Sequence, residues 1–227
     1  MTLRSFARRY GSWSRLIALS LAVATPVCLA SMPTASARPM LSTQQTKSTL
    51  NDLSTTERNA LIRGEVLVSG ENGEFMGRVL VNAPLDQAWD VLTDYDNFEN
   101  FLPNIESSQL LSSEGNRNIF EQVNVIKVLP FVTTRSRIEI QSVESYPQRV
   151  DFSLVQGDLD ALEGVWQLEQ VSTAEGNRVL VTHRVSVDPG NGSPRGVFFS
   201  TYKSILEGSL SAASQEAEER AMAAAAL

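Results

Sequence analysis

The sequence predicts an α+β domain: a curved antiparallel β-sheet wrapped around a long C-terminal α-helix, with two short helices after the first strand. Three observations predict it. From residue 105 onward, runs at about 105–112, 117–128, 133–143, 149–156, 162–171 and 178–187 read as strands. They are separated by short turn signals (Glu114-Gly115-Asn116, Tyr146-Pro147-Gln148, Glu175-Gly176-Asn177). Returns that short join antiparallel neighbours. The last element places Phe198, Tyr202, Ile205, Leu206, Leu210 and Ala213 on one helical stripe. A single sheet with one apolar face needs such a stripe to cover it.

The elements follow in order. Arg38–Leu53 is polar and reads as a linker, and Ser54-Thr55-Thr56-Glu57 has the spacing of a capping box. A short helix over Thr55–Arg63 then stops at Gly64. Strand character begins at Glu65 and turns at Glu71-Asn72-Gly73. Phe75, Gly77, Val79 and Val81 share one face of the next run. Pro84 opens a helix on which Leu85, Ala88, Trp89 and Leu92 form an apolar stripe. Val91–Asn104, VLTDYDNFENFLPN, sets Tyr95, Phe98, Phe101 and Leu102 among acidic residues and stops at Pro103. After a loop at Pro189–Gly196, with Ser193-Pro194 as cap and first-turn proline, the long helix ends in an alanine-rich tail at residues 223–227.

Residues 1–37 read as a secretory signal peptide. Arg4, Arg8, Arg9 and Arg15 precede the apolar run Leu16–Ala30, and Ala35-Ser36-Ala37 is a cleavage signal. The run is 15 residues long and contains Pro26, short for a spanning helix of about 20. Cleavage after Ala30 and an uncleaved anchor remain alternatives. Without the leader's four arginines, 15 basic and 26 acidic residues remain, a net charge of −11. Such a surface repels nucleic acid. The one cysteine, Cys28, lies in the leader, so the mature chain has no thiol chemistry, CxxC metal site or disulfide. A cofactor-free monomer in the periplasm or thylakoid lumen is expected, stabilised by its core alone.

The element order and the VLTDYDNFENFLPN segment, with Trp89, Gly157-Asp158, Gly164-Val165-Trp166 and the final helix, resemble the START-like (Bet v 1-like, helix-grip, SRPBCC) superfamily. Within it they are most similar to the polyketide cyclase/dehydrase and coenzyme-Q-binding START branch, in particular to exported members from cyanobacteria and related plastid proteins. The resemblance covers roughly residues 65–220. It implies a cavity between sheet and C-terminal helix holding a lipid, quinone, polyketide or other apolar molecule, and it carries no fixed catalytic set.

The residues themselves point the same way. A twisted sheet wrapped on one helix leaves a gap between them. His183, the sole histidine, shares the inward face of its strand with Val179, Val181, Val185 and Val187. It is either a satisfied core residue or a polar contact for a ligand oxygen, and in an enzyme it would act with Tyr202 as acid/base. Phe152 with Leu154, Trp166, and Phe198 with Tyr202 and Ile205 occupy faces that meet if the helix crosses the sheet, and Trp89 joins them from the first helix. Phe101-Leu102-Pro103 and the break at Leu129-Pro130-Phe131-Val132 would flank the entrance. They either touch a membrane during transfer or pack as ordinary loops. Arg135, Arg137 and Glu139 read as an outward, ion-paired face. Asp158, Asp160 and Glu163 read as a solvated turn, since their spacing fits no calcium loop, and Gly190-Asn191-Gly192 lacks the third glycine of a dinucleotide loop.

Three functions are compatible with this pattern: a non-enzymatic carrier of a hydrophobic small molecule, a cyclase/dehydrase-type enzyme, and an adaptor for a membrane complex. A protein that purifies empty and whose cavity is under about 300 Å³ would count against the carrier.

Overall fold

The computed structural model describes residues 50–129, 132–191 and 194–226. The expected signal peptide, Phe131 and Ser193 lie outside the described residues. The first described residues, Leu50–Asp52, form one 3₁₀ turn. Helix α1 spans Thr55–Ile62, and both capping-box bonds are made: the Glu57 amide donates to Ser54 Oγ at 3.2 Å and the Ser54 amide to Glu57 Oε2 at 3.0 Å. Leu50 and Leu53, at the end of the stretch expected to be linker, are buried. With Leu61 they form a small cluster on Leu80, Val171 and Leu180 of the sheet's outer face. Packing therefore begins before the first strand, and α1 closes the convex side.

Strands β1 (Leu67–Glu71) and β2 (Glu74–Val81) form a hairpin. Its two-residue turn puts Asn72 at φ 56° and Gly73 at φ 94°, the left-handed pair that suits the twist of a tight hairpin. The turn signal at Glu71-Asn72-Gly73 between two strand runs predicts this hairpin, and the two short helices follow its second strand rather than its first. Helix α2 (Leu85–Leu92) and the single turn α3 (Phe98–Phe101) follow. Asn104, at φ 66°, then turns the chain into β3, a conformation asparagine tolerates better than most residues.

Strands β3 (Ile105–Glu114), β4 (Arg117–Leu129), β5 (Val132–Ser145), β6 (Arg149–Gly157), β7 (Ala161–Thr173) and β8 (Gly176–Asp188) form the meander. All pairings are antiparallel, in the order β1-β2-β8-β7-β6-β5-β4-β3. The pairing of β2 with β8 brings the first hairpin beside the last strand. Helix α4 runs over Arg195–Ala225 across the inner face. It continues through Ala223–Ala225, so most of the expected tail is helix. Leu206, Leu210, Ala213 and Ala217 recur on its buried side. The close crossing depends on Gly77: a Cβ there would lie 2.2 Å from Leu210 Cδ1, and Leu210 is fully buried.

Candidate functional site

Between the concave sheet and α4 lies a cavity of about 210 Å³. Alternation along the strands decides what lines it. Phe120, Gln122 and Asn124 of β4, Ser136, Ile138, Ile140 and Ser142 of β5, Phe152 of β6, Trp166 of β7 and His183 of β8 all point inward. Helix α4 supplies Phe198, Tyr202 and Ile205 from the opposite side, and the α3 segment supplies Phe98, Phe101, Leu102 and Pro103. The volume is below the range of about 300–1,000 Å³ usual for drug-sized ligands.

The floor is an aromatic stack. His183 lies between Trp166, with ring centres 3.8 Å apart, and Phe152, at 5.4 Å and 10° from parallel. Phe152 reaches it by crossing Gly164, its partner on β7, over which a side chain would collide. Burial pushes the His183 imidazole down to about 3, so the ring is neutral in any ordinary compartment. Its Nδ1 is buried and has no hydrogen-bond partner among the described residues. Buried polar atoms are nearly always paired, so this ring departs from a satisfied core histidine.

Tyr202 stacks between Phe75 (5.6 Å) and Phe198 (5.8 Å), and burial raises its phenol. At the β4–β5 end, Tyr95 lies on Phe120 at 4.4 Å. Its hydroxyl donates to Glu144 Oε1 at 2.8 Å, and Asn118 Nδ2 donates to the same oxygen at 2.6 Å. Burial, followed by the Glu144 carboxylate, raises the Tyr95 phenol.

The α3 tip is tied down rather than presented to solvent. Phe101 packs edge-on against Phe98 at 5.8 Å, and the Arg220 guanidinium sits 5.6 Å from its centre. Arg220 also pairs with Asp94 at 2.8 Å and Glu216 at 2.7 Å. Phe101 and Leu102 are half-buried, which favours loop packing over an exposed membrane-touching tip. Arg220→Ala should speed amide exchange over 98–102 while lowering stability by less than about 1 kcal/mol. Unchanged exchange there would show that Arg220 does not hold the tip.

Of the residues expected from sequence, Phe101, Leu102, Phe152, Trp166, His183, Phe198, Tyr202 and Ile205 line the cavity. Trp89 does not: α2 turns it into the core, and the exposed Tyr146 meets it edge-on at 5.4 Å. Leu154 does not either. It packs against the core where β5 and β6 shift register between Glu139 and Ile140. Sequence reasoning missed Tyr95 and Phe98 as lining residues, and it missed the polar group Gln122, Asn124, Ser136 and Ser142. The signal was present, since these polar residues share faces with Phe120, Ile138 and Ile140 at a period of two. Arg135, Arg137 and Glu139 do face outward. Arg135 pairs with Glu106 at 2.6 Å and Arg137 with Glu121 at 3.2 Å. Among the described residues no group of acids or histidine could hold a metal ion, and no helix is long and apolar enough to cross a membrane.

Solved structures share this architecture. A Thermus thermophilus protein aligns with a TM-score of 0.52 and 21% identity over 66% of this chain and 98% of its own. The Zhui aromatase/cyclase of a Streptomyces species gives 0.53 and 17%, over 65% of this chain and 94% of its own. A STAR-related lipid transfer protein from Xanthomonas axonopodis gives 0.52 and 22%, over 67% and 92%. At these identities the likeness establishes the helix-grip fold of START-like proteins. No curated protein sequence matches the chain. Residues 81–206, more than half of the chain, match the family described as polyketide cyclase / dehydrase and lipid transport, and the chain belongs to that family.

Proposed function

We propose that the protein binds and carries a hydrophobic small molecule, a quinone, isoprenoid or similar lipid, without transforming it, in the periplasm or thylakoid lumen. The observation that carries this reading is the unpartnered Nδ1 of His183, a residue that lines an otherwise largely apolar cavity. A ligand oxygen there would complete the hydrogen bonding that the protein leaves open. The family's cyclase members make an enzyme the competing reading, but the site is poorly tuned for proton transfer. A general base works best with a pKa near the working pH, and His183 is held at about 3 while burial drives Tyr202 the other way. Both groups are better hydrogen-bonding partners than proton carriers.

The small volume implies that one ring or a short run of chain sits inside while the rest passes the Phe101–Pro103 mouth. Native mass spectrometry of the protein purified from its own host should show a bound species that organic extraction removes. His183→Ala should then retain less of it, by roughly tenfold if one hydrogen bond is lost. A preparation that is consistently empty, given a cavity this small, would overturn the carrier reading.

A further inference from the structure

We propose that the cavity is built for an uncharged amphiphile, with Gln122, Asn124 and Ser136 forming a second polar subsite for a neutral hydroxyl or carbonyl oxygen. This deepens the ligand-binding reading and rests on it. The three side chains sit together on the inner faces of β4 and β5, where Asn124 pairs with Ser136 and Gln122 with Ile138 across the ladder. Gln122 is 9% exposed, and none of the three is hydrogen-bonded through its side chain to another described residue. A carboxamide carries donors and an acceptor, so the patch can serve a hydroxyl or a carbonyl without a charge on either side. It lies three to four strands from His183 in the sheet order, about 14–19 Å along the surface at about 4.8 Å per strand and less across the curve. The two polar positions are therefore distinct places on the cavity wall.

The second observation is what the lining lacks. Among the described residues no Asp, Glu, Lys or Arg lines the cavity. The arginines towards the two ends of α4 are already engaged, Arg195 with Asp188 and Arg220 with Asp94 and Glu216. A fatty-acid carboxylate or a phosphate entering this space would lose its water and find no counter-ion. An alcohol or ketone of the same length has no such penalty and gains the amide contacts.

The test is calorimetric titration of the purified protein at pH 7.5 with dodecan-1-ol, 2-dodecanone and dodecanoic acid. The expected result is that the alcohol and ketone bind at least tenfold more tightly than the acid. In the double variant Gln122→Leu/Asn124→Val, binding of the alcohol weakens at least fivefold while competition by dodecane is unchanged. Acid binding within twofold of the alcohol would overturn the proposal even though it upheld ligand binding. So would a folded double variant with wild-type affinity for the alcohol. If none of the probes binds, dodecane included, the ligand-binding reading itself fails and this one with it. The comparison among probes uses the native chain, so it stands whether or not the double variant folds.

Discussion

Lowering the pH from 7 to 4.5 should destabilise the folded protein by about 3 kcal/mol through His183 alone, and His183→Leu should abolish that part of the loss. The ring's folded value is about 3 against an ordinary 6.5, and burial is the cause. Between these values the unfolded chain binds a proton that the folded chain refuses. Stability from this group is therefore complete above about pH 6.5 and is lost progressively as the pH falls toward 3. Carboxylates also titrate in this window, but they do so in both proteins, and the difference between the two curves isolates His183. At pH 7.5 the variant should be as stable as the wild type or slightly more so. It replaces an imidazole with an unpartnered buried nitrogen by an aliphatic group of similar size, and removing an unsatisfied polar atom relieves about 1–3 kcal/mol of desolvation. Denaturant unfolding at pH 7.5, 6 and 4.5 reads both effects. Parallel pH dependences for the two proteins would mean that His183 is accessible to protons in the folded state. A large loss at pH 7.5 would mean that the ring is a satisfied structural residue after all. A gain in stability together with a loss of ligand would be the mark of a residue kept for binding.

The contrast between His183 and the residues missed shows where the sequence was informative. Strand alternation put His183 among four valines, so its inward direction followed from period two alone. Turn signals located the β1–β2, β3–β4 and β7–β8 hairpins to within a few residues, because Asn72-Gly73, Gly115 and Gly176 adopt the positive φ that such turns need. Lining was harder to read. Trp89 belongs to a helical stripe as apolar as that of α4, and only the packing of α2 decides that its ring meets Tyr146 rather than the cavity. Leu154 keeps the inward parity of Phe152 and pairs with the lining residue Ile140, yet its side chain packs against the core rather than onto the wall. Gln122 and Asn124 were passed over for a different reason. Polar residues on a strand normally mark its solvent face, and a polar group on the concave face becomes recognisable only when its neighbours Phe120 and Ile138 are known to be inside. The burial of Leu50 and Leu53 was hidden in the same way, by a polar context around two isolated leucines.

Gly164→Ala should lower stability by about 1–3 kcal/mol and weaken ligand binding with it, although alanine is ordinarily a mild substitution in a strand. Gly164 lies on β7 between Phe152 and Val185 in the ladder. A Cβ placed there would be 2.2 Å from the Arg184 carbonyl oxygen and 2.5 Å from Phe152 Cζ. The carbonyl belongs to the β7–β8 ladder and cannot retreat without disturbing that pairing. Phe152 can retreat, but its ring covers the bare glycine backbone and lies nearly parallel to His183. Moving it opens the floor of the cavity and uncovers the imidazole. The two responses are separable by a double-mutant cycle with Phe152→Leu. If the ring takes the strain, Gly164→Ala in the Phe152→Leu background should be markedly less harmful than in the wild type. If the backbone takes it, the two effects should add. Thermal unfolding reads the cycle, at about 2–4 °C per kcal/mol for a chain of this size. A Gly164→Ala protein with unchanged melting temperature and ligand affinity would show that neither the carbonyl approach nor the aromatic crossing constrains this position, and the stacked floor would lose its role in shaping the site.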